Sequence, residues 1–279
     1  MKVYSKISDF KLAIEQLKSN GKSIGFVPTM GALHNGHLSL VNTSENQNDI
    51  TVVSIFVNPT QFNNSNDLEN YPRTLEQDLS LLKSTKCDLV LAPSSADVYS
   101  SEYVPSDLSL GDLETVMEGK HRPGHFDGVV NVVKRLFDIT QPDKAYFGLK
   151  DFQQVSVIKF MVNALSLPIE VIACPTLREE SGLAMSSRNK RLSISDMQDA
   201  LIIYKTLLFA KEKSKTFTPK EVVEQSVNFF NSGNLKLEYL EIVDPLTLQA
   251  LDNTWVEGAT ACIVAFSGEV RLIDNLQLI

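Results

Sequence analysis

The chain of 279 residues carries 26 basic and 34 acidic side chains, a net charge of −8, with 43% hydrophobic and 22% charged residues. That length admits one large domain or two of ordinary size around a buried core, and the composition is that of a soluble globular protein. The acidic balance excludes a nucleic-acid backbone as the expected partner, so any anionic ligand needs a local cluster of donors. Cys87, Cys174 and Cys262 lie far apart in apolar runs, which reads as buried reduced thiols and a cytoplasmic protein. The first residues lack a signal core and no apolar run reaches the length of a membrane span, so no membrane partner is expected.

In chain order, Ser8 is placed as the N-cap of a helix carrying Phe10, Ala13, Ile14 and Leu17 and ending near Asn20-Gly21. Ser23 to Val27 reads as a strand, and Gly36 to Asn46 as a helix with Leu38 and Val41 on one face. Between them runs Pro28-Thr29-Met30-Gly31-Ala32-Leu33-His34-Asn35-Gly36-His37. The spacing of Gly31 and Gly36 is that of a phosphate loop, but His37-Leu38 stands where that motif requires Lys and then Ser or Thr, so a P-loop is excluded. Instead, His34 and His37 share one side of the first helical turn, at the handover from a strand to a helix. In an open α/β sheet ligands bind at that handover, and two ring N–H donors aimed at one point can hold a phosphoryl group as charge builds on it. A metal pair and plain capping of the helix end are the alternatives.

Ile50 to Val57 is a β-branched run of buried-strand type, followed by an Asn-rich loop from Asn58 to Asn70 on the same rim. Gln61 in that loop offers donors and acceptors to a small polar substrate, or is a surface amide satisfied by water. A helix from Leu75 to Ser84 carries Asp78 one turn in, Asp88 to Ala92 is a short strand, and a polar connection begins at Pro93. His121 and His125 flank Pro123-Gly124, which breaks the helix that would align them as metal ligands. A helix follows from Val129 to Ile139, and Lys144 to Phe147 is a strand. Gly148-Leu149-Lys150-Asp151 then opens a helix from Phe152 to Ala164, so Lys150 is expected in the same crevice as the histidines, with Gln153 and Gln154 in the first turn. Ile169 to Cys174 is the last strand of the sheet, and Met185-Ser186-Ser187-Arg188-Asn189 is a donor-rich loop suited to a triphosphate, or a solvated basic turn. Helices at Ser195 to Lys211 and Pro219 to Asn231 precede strands at Leu235 to Val243, Ala259 to Phe266 and Val270 to Asp274. The element order sets out an α/β parallel-sheet domain over 1–177 and a smaller α+β domain with a short antiparallel sheet over 178–279.

The double-histidine stretch resembles the HIGH signature of the nucleotidyltransferase superfamily, which includes class I aminoacyl-tRNA synthetases and small cytidylyl- and adenylyltransferases. The longer string from Pro28 to His37 is similar to the pantothenate synthetases, ligases that join D-pantoate to β-alanine at the expense of ATP. Asn58 to Phe62, Tyr71 to Thr74, Arg122 to Phe126, Gly148 to Gln154 and Met185 to Asn189 extend the likeness in order. The resemblance implies a Rossmann-like sheet domain with a smaller lid domain, a homodimer, a gate formed by Asn63 to Asn70, and Mg2+ accompanying ATP. It assigns ATP to Met30, Gly31, Ala32, Leu33, His34, Asn35, Gly36 and His37, to Gly148, Leu149, Lys150 and Asp151, and to Leu177, Met185, Ser186, Ser187 and Arg188. His34, His37 and Lys150 become the catalytic group, Gln61 and Gln154 the pantoate contacts, Gln61 also a β-alanine contact, and Asp78 a residue facing the nucleotide or its magnesium. Leu149 departs from the family, which usually has an acidic residue there. Two other functions fit a chain of this kind: an adenylyl- or cytidylyltransferase acting on a phosphorylated substrate, and a nucleotide-binding regulator without turnover.

Overall fold

The computed structural model describes residues 1–101 and 103–279; Glu102, in the polar connection expected after Pro93, lies outside them. The first unit runs β1 (Lys2–Tyr4), α1 (Ile7–Ser19), β2 (Ile24–Thr29), α2 (Asn35–Glu45), β3 (Ile50–Ile55), α3 (Ser65–Glu69), α4 (Leu75–Leu82) and β4 (Leu89–Leu91). It continues with α5 (Ser95–Val98), α6 (Met117–His121), α7 (His125–Thr140), β5 (Lys144–Gly148), α8 (Phe152–Ala164) and β6 (Glu170–Cys174). The six strands form one sheet in the order β1-β4-β3-β2-β5-β6, every observed pairing parallel. Because both faces are covered, neighbouring strand residues serve opposite layers. Phe26 and Val52 pack with Phe10 of α1 and with Val129, Val133 and Ile158 of α7 and α8, whereas Val27 and Val53 pack with Leu40, Val41 and Leu82 of α2 and α4. From β2 the chain builds outward to β3 and β4, then returns to lay β5 on the other side of β2. The carboxyl ends of β2 and β5 therefore flank a topological switch point, where an open α/β sheet leaves a crevice.

The second unit contains α9 (Ile194–Lys213), α10 (Pro219–Phe230), β7 (Lys236–Val243), β8 (Thr260–Ser267) and β9 (Val270–Gln277). Its antiparallel sheet has the order β7-β8-β9, and Ser267 pairs with Val270 across a two-residue hairpin in which Gly268 takes φ +55°. One face, with Leu240, Ile242, Ala261 and Ile263, packs under Ile203, Leu207, Val222 and Phe230 of its own helices. The opposite face, with Tyr239, Val243, Cys262 and Val264, packs with Met117 and Phe152 of the first unit. Glu118 sits in that junction, 9% exposed, and accepts from Arg271 (2.7 and 2.8 Å), from the Tyr239 hydroxyl (2.9 Å) and from Arg122 (3.4 Å). Burial pushes its carboxyl up, but the bonds and charge of Arg271 outweigh it and bring the pKa down to about 2.

Several boundaries differ from the sequence reading. Helix α1 is capped at Lys6 rather than Ser8, whose hydroxyl instead donates to Asp9. The Asn-rich loop contains a 3₁₀ turn (Pro59–Gln61) and α3, whose N-cap is Asn64 accepting from Asn66 N–H. Helix α7 begins four residues before Val129, because Gly124 at φ +76° turns the chain into it.

Candidate active site

Beyond β2 the chain turns through Gly31 at φ +82° and Ala32 at φ +51°. A side chain at Gly31 would sit 3.0 Å from Asp78 Oδ2 and 3.1 Å from Ile55, so that position needs glycine twice over. Ala32 has no such freedom, and a left-handed non-glycine residue costs about 1–2 kcal/mol. Asp78 on α4 meets that cost. Only 1% exposed, it accepts the Ala32 N–H at 3.0 Å on Oδ2 and the Leu33 N–H at 2.7 Å on Oδ1, and Thr74 adds a hydroxyl at 3.3 Å. Asp78 is expected from the resemblance to face the nucleotide or its metal; both its oxygens bind the backbone beneath the site, and the residue is absent from the cleft lining.

The turn delivers His34 to the N-cap of α2, where its Nδ1 accepts the Gly36 N–H at 3.1 Å. His37 Nδ1 accepts the His34 N–H at 3.3 Å, so two imidazoles form a reciprocal capping box. A ring nitrogen that accepts carries no proton, which assigns the proton to Nε2 in both rings. Capping and phosphate donation are therefore compatible, one nitrogen for each. Burial is the main force keeping the rings uncharged. It lowers His34 to about 4, helped by the Lys150 charge, and His37 to about 3, helped by His34 and Lys150. The rings lie 4.1 Å apart, and a Cβ at Gly36 would sit 2.8 Å from the His34 ring.

These residues border a cleft of about 220 Å3, lined after β2 by Met30, His34, Gly36 and His37. Gly31, Ala32 and Leu33 lie buried in the turn beneath it, and Asn35 is exposed at the start of α2. After β5 the lining comes from Gly148, Lys150, Asp151 and Gln154. The Lys150 ammonium stands 3.4 Å from Asp151, and Asn275 on β9 grips the turn by donating to the Leu149 carbonyl (2.8 Å) and the Lys150 carbonyl (3.0 Å). Leu149 thus contributes an anchored carbonyl while its side chain stays out of the lining. Gln153 and Gln154 separate sharply: Gln153 is 2% exposed and brackets Glu118 N–H, Leu113 O and Val116 O, while Gln154 reaches the cleft.

Gln61 lines the cleft from the 3₁₀ turn after β3, which presses so closely on α7 that a Cβ at Gly128 would meet the Thr60 carbonyl at 2.6 Å. His125 holds the same turn, its Nδ1–H donating to the Gln61 carbonyl at 2.8 Å; burial, then the Arg122 charge, lowers its pKa to about 4. His121 instead stacks on Tyr239, so the two histidines separate as Pro123-Gly124 required. Among the described residues no group of three or more His, Cys, Asp or Glu is arranged to hold a metal ion.

Leu177, Met185, Ser186, Ser187 and Arg188 close the remaining wall. Ser187 donates to the Ala32 carbonyl at 3.2 Å, tying this loop to the histidine turn. Arg188 and Arg191 both reach Asp67 of α3, each at 2.9 Å, so the Asn-rich segment is latched across the cleft. Burial alone would raise the Asp67 carboxyl, but the two guanidinium groups outweigh it and hold it below its ordinary range. The loop is steadied from behind by Arg178, paired twice with buried Asp274 at 2.6 and 3.0 Å.

Sequence reasoning missed Asn275, the fastening role of Asp78 and the latch at Asp67. Each depends on a partner tens of residues away, and none carries a local pattern.

Neutral paired imidazoles, a lysine and a donor-rich loop around a switch-point crevice define a phosphate-handling α/β enzyme. Comparison with known proteins narrows the class. A family model described as pantoate-beta-alanine ligase matches residues 2–277. A pantothenate synthetase of Bacteroides fragilis is 48% identical over 284 residues, covering 99% of each chain. The crystal structure of pantothenate synthetase from Thermus thermophilus is 40% identical with a TM-score of 0.94, covering 100% of this chain and 99% of that one. That of pantoate-beta-alanine ligase from Francisella tularensis, complexed with beta-gamma ATP and beta-alanine, is 40% identical with a TM-score of 0.84, covering 99% and 97%. The chain belongs to the pantoate-beta-alanine ligase family.

Proposed function

We propose that the chain condenses D-pantoate with β-alanine to pantothenate through a pantoyl adenylate. The pantoate carboxylate attacks the α-phosphorus of ATP and pyrophosphate leaves; the β-alanine amine then attacks the acyl carbon, loses a proton and displaces AMP. The observation that carries this reading is the pair of Nε2–H donors, fixed in tautomer because each Nδ1 accepts a backbone N–H. Neutral, preorganised donors cost no reorganisation as charge builds on the phosphoryl oxygens. Lys150, Ser186, Ser187 and Arg188 would neutralise the triphosphate, and Gln61 and Gln154 would hold pantoate, with Gln61 also meeting β-alanine. Met30, Gly36, Gly148, Asp151, Leu177 and Met185 shape the nucleotide wall.

For magnesium, Asp78 is engaged by Ala32 and Leu33, and among the described residues no group of three or more His, Cys, Asp or Glu is placed to cage the ion. The ion would enter as part of the MgATP substrate, held by phosphate oxygens and water. Residues 178–279 would act as the lid over residues 1–177. The family likeness supports a homodimer, and three buried free thiols support a cytoplasmic enzyme.

The test is pyrophosphate release from MgATP with D-pantoate, with and without β-alanine, beside 4′-phosphopantetheine as a rival substrate. Pantoate-dependent release, with sustained AMP and pantothenate formation only when β-alanine is present, is the expected result. Release with the phosphorylated substrate alone would move the chain to the adenylyltransferases, and ATP binding without release from either would make it a non-catalytic binder.

A further inference from the structure

Asn58 is 1% exposed and all of its side-chain polar atoms are engaged. Its Oδ1 accepts from the Tyr99 hydroxyl at 2.7 Å, the Thr60 hydroxyl at 3.0 Å and the Thr60 N–H at 3.3 Å. Its Nδ2 donates to the Gly128 carbonyl and to Gln61 Oε1, both at 3.1 Å. A carbonyl can only accept and a backbone N–H can only donate, so the sense of the Asn58 amide is settled by Gly128 on one side and Thr60 on the other. The sense of the next amide follows. Gln61 must present oxygen to Asn58, and its Nε2 hydrogens therefore turn away, toward the cleft and the Met30 sulfur at 3.4 Å. Sulfur is a weak acceptor, so those hydrogens remain available for a ligand oxygen.

The shortest of the Asn58 bonds comes from Tyr99, which is absent from the cleft lining. Burial raises the phenol pKa, so the hydroxyl remains a donor throughout the working range. Without it, Asn58 Oδ1 would keep only its two contacts from Thr60, two residues away, and lose its tie to the segment beyond β4.

We propose that Tyr99 is a positioning residue: its bond to Asn58 Oδ1 steadies the place of an amide whose sense Gly128 and Thr60 already set, and so keeps the Gln61 NH2 face in register with the acceptor oxygens of a hydroxy acid. The proposal rests on the reading of Gln61 as a pantoate contact. Replacing Tyr99 by Phe removes one oxygen and keeps the ring on Tyr103, 5.1 Å away edge to face.

The experiment is a double-mutant cycle of Tyr99→Phe and Gln61→Ala, with KM for D-pantoate and KM for ATP measured separately. Tyr99→Phe is expected to raise KM for pantoate about 3- to 10-fold, the size of one net hydrogen bond, with KM for ATP within 2-fold of wild type. In the Gln61→Ala background the same change should add less than about 2-fold, because nothing remains for Asn58 to orient. An unchanged pantoate KM in Tyr99→Phe, beside a raised one in Gln61→Ala, would overturn the relay and leave the pantoate reading intact. An equal effect in both backgrounds would show Tyr99 acting by another route, which also overturns it. No effect of Gln61→Ala on pantoate would remove the substrate reading and the relay together.

Discussion

The turn after β2 and the segment after β3 stand on the same rim, yet they are fastened in opposite ways. The histidine turn is held from beneath by a carboxylate 1% exposed, whose two oxygens satisfy two buried N–H groups. The Asn-rich segment is held from above by Asp67, roughly a quarter exposed, reaching two arginines that are themselves partly in solvent. Buried, fully satisfied polar contacts are rigid and costly to break, whereas partly solvated ion pairs are weak and exchangeable. The rim thus joins a part fastened by buried, satisfied contacts to a part fastened by exchangeable ones. Arg188 belongs to both: it faces the cleft and also holds the latch.

The sharpest way to break this contrast is Asp78→Ala, which strands the Ala32 and Leu33 N–H groups. At about 1–3 kcal/mol for each unsatisfied group, unfolding free energy should fall by about 2–6 kcal/mol in urea titration, and pyrophosphate release should fall with it. A variant as stable as wild type would mean the turn holds itself. His37→Ala comes next and separates chemistry from folding: at least about 10²-fold in adenylation rate, with a stability loss near the 1 kcal/mol of a lost cap. Activity surviving within a few-fold would sink the phosphate role of His37.

The same turn gives a pH signature. His34 and His37 titrate near 4 and 3 in the fold but near 6.5 when unfolded, so between those limits the unfolded chain binds more protons. Their contribution to stability is full above pH 6.5 and is lost as the pH falls toward 4 for His34 and toward 3 for His37. The slope of unfolding free energy against pH over that interval should be shallower in His37→Ala than in wild type. The pyrophosphate rate should show no inflection near 6.5 from these two groups; a wild-type inflection there that is absent in the variant would mean they charge in the working enzyme.

Asp67→Asn should do least. Removing the competitor for Arg188 should lower KM for ATP about 2- to 3-fold at low salt, the difference vanishing at high salt, with little change in thermal midpoint. A rise in KM would make Asp67 part of the bound state.

The same contrast explains what the sequence disclosed. The strand after Ile50 announces itself because both of its faces are buried, and His34-x2-His37 because a helix turn makes the spacing meaningful. The switch point was legible as well, since Gly148-Leu149-Lys150 repeats the strand-to-helix handover. Lys2–Tyr4 is too short to show a period. Asp78 looked like any carboxylate on a helix, and its burial follows only from α4 packing beneath a turn 45 residues earlier. The two adjacent glutamines, alike in sequence, differ because one faces α6 and the other the cleft.

Asn275 gives the fold a timetable. The parallel sheet and its histidine turn can take shape while later residues are still leaving the ribosome, since domains fold in the order of their synthesis. The turn bearing Lys150 gains its clamp only when the last strand of the small sheet has emerged and docked. A chain cut short before Asn275 would lack the clamp on its lysine turn, whereas Asp78, which fastens the histidine turn, is already present.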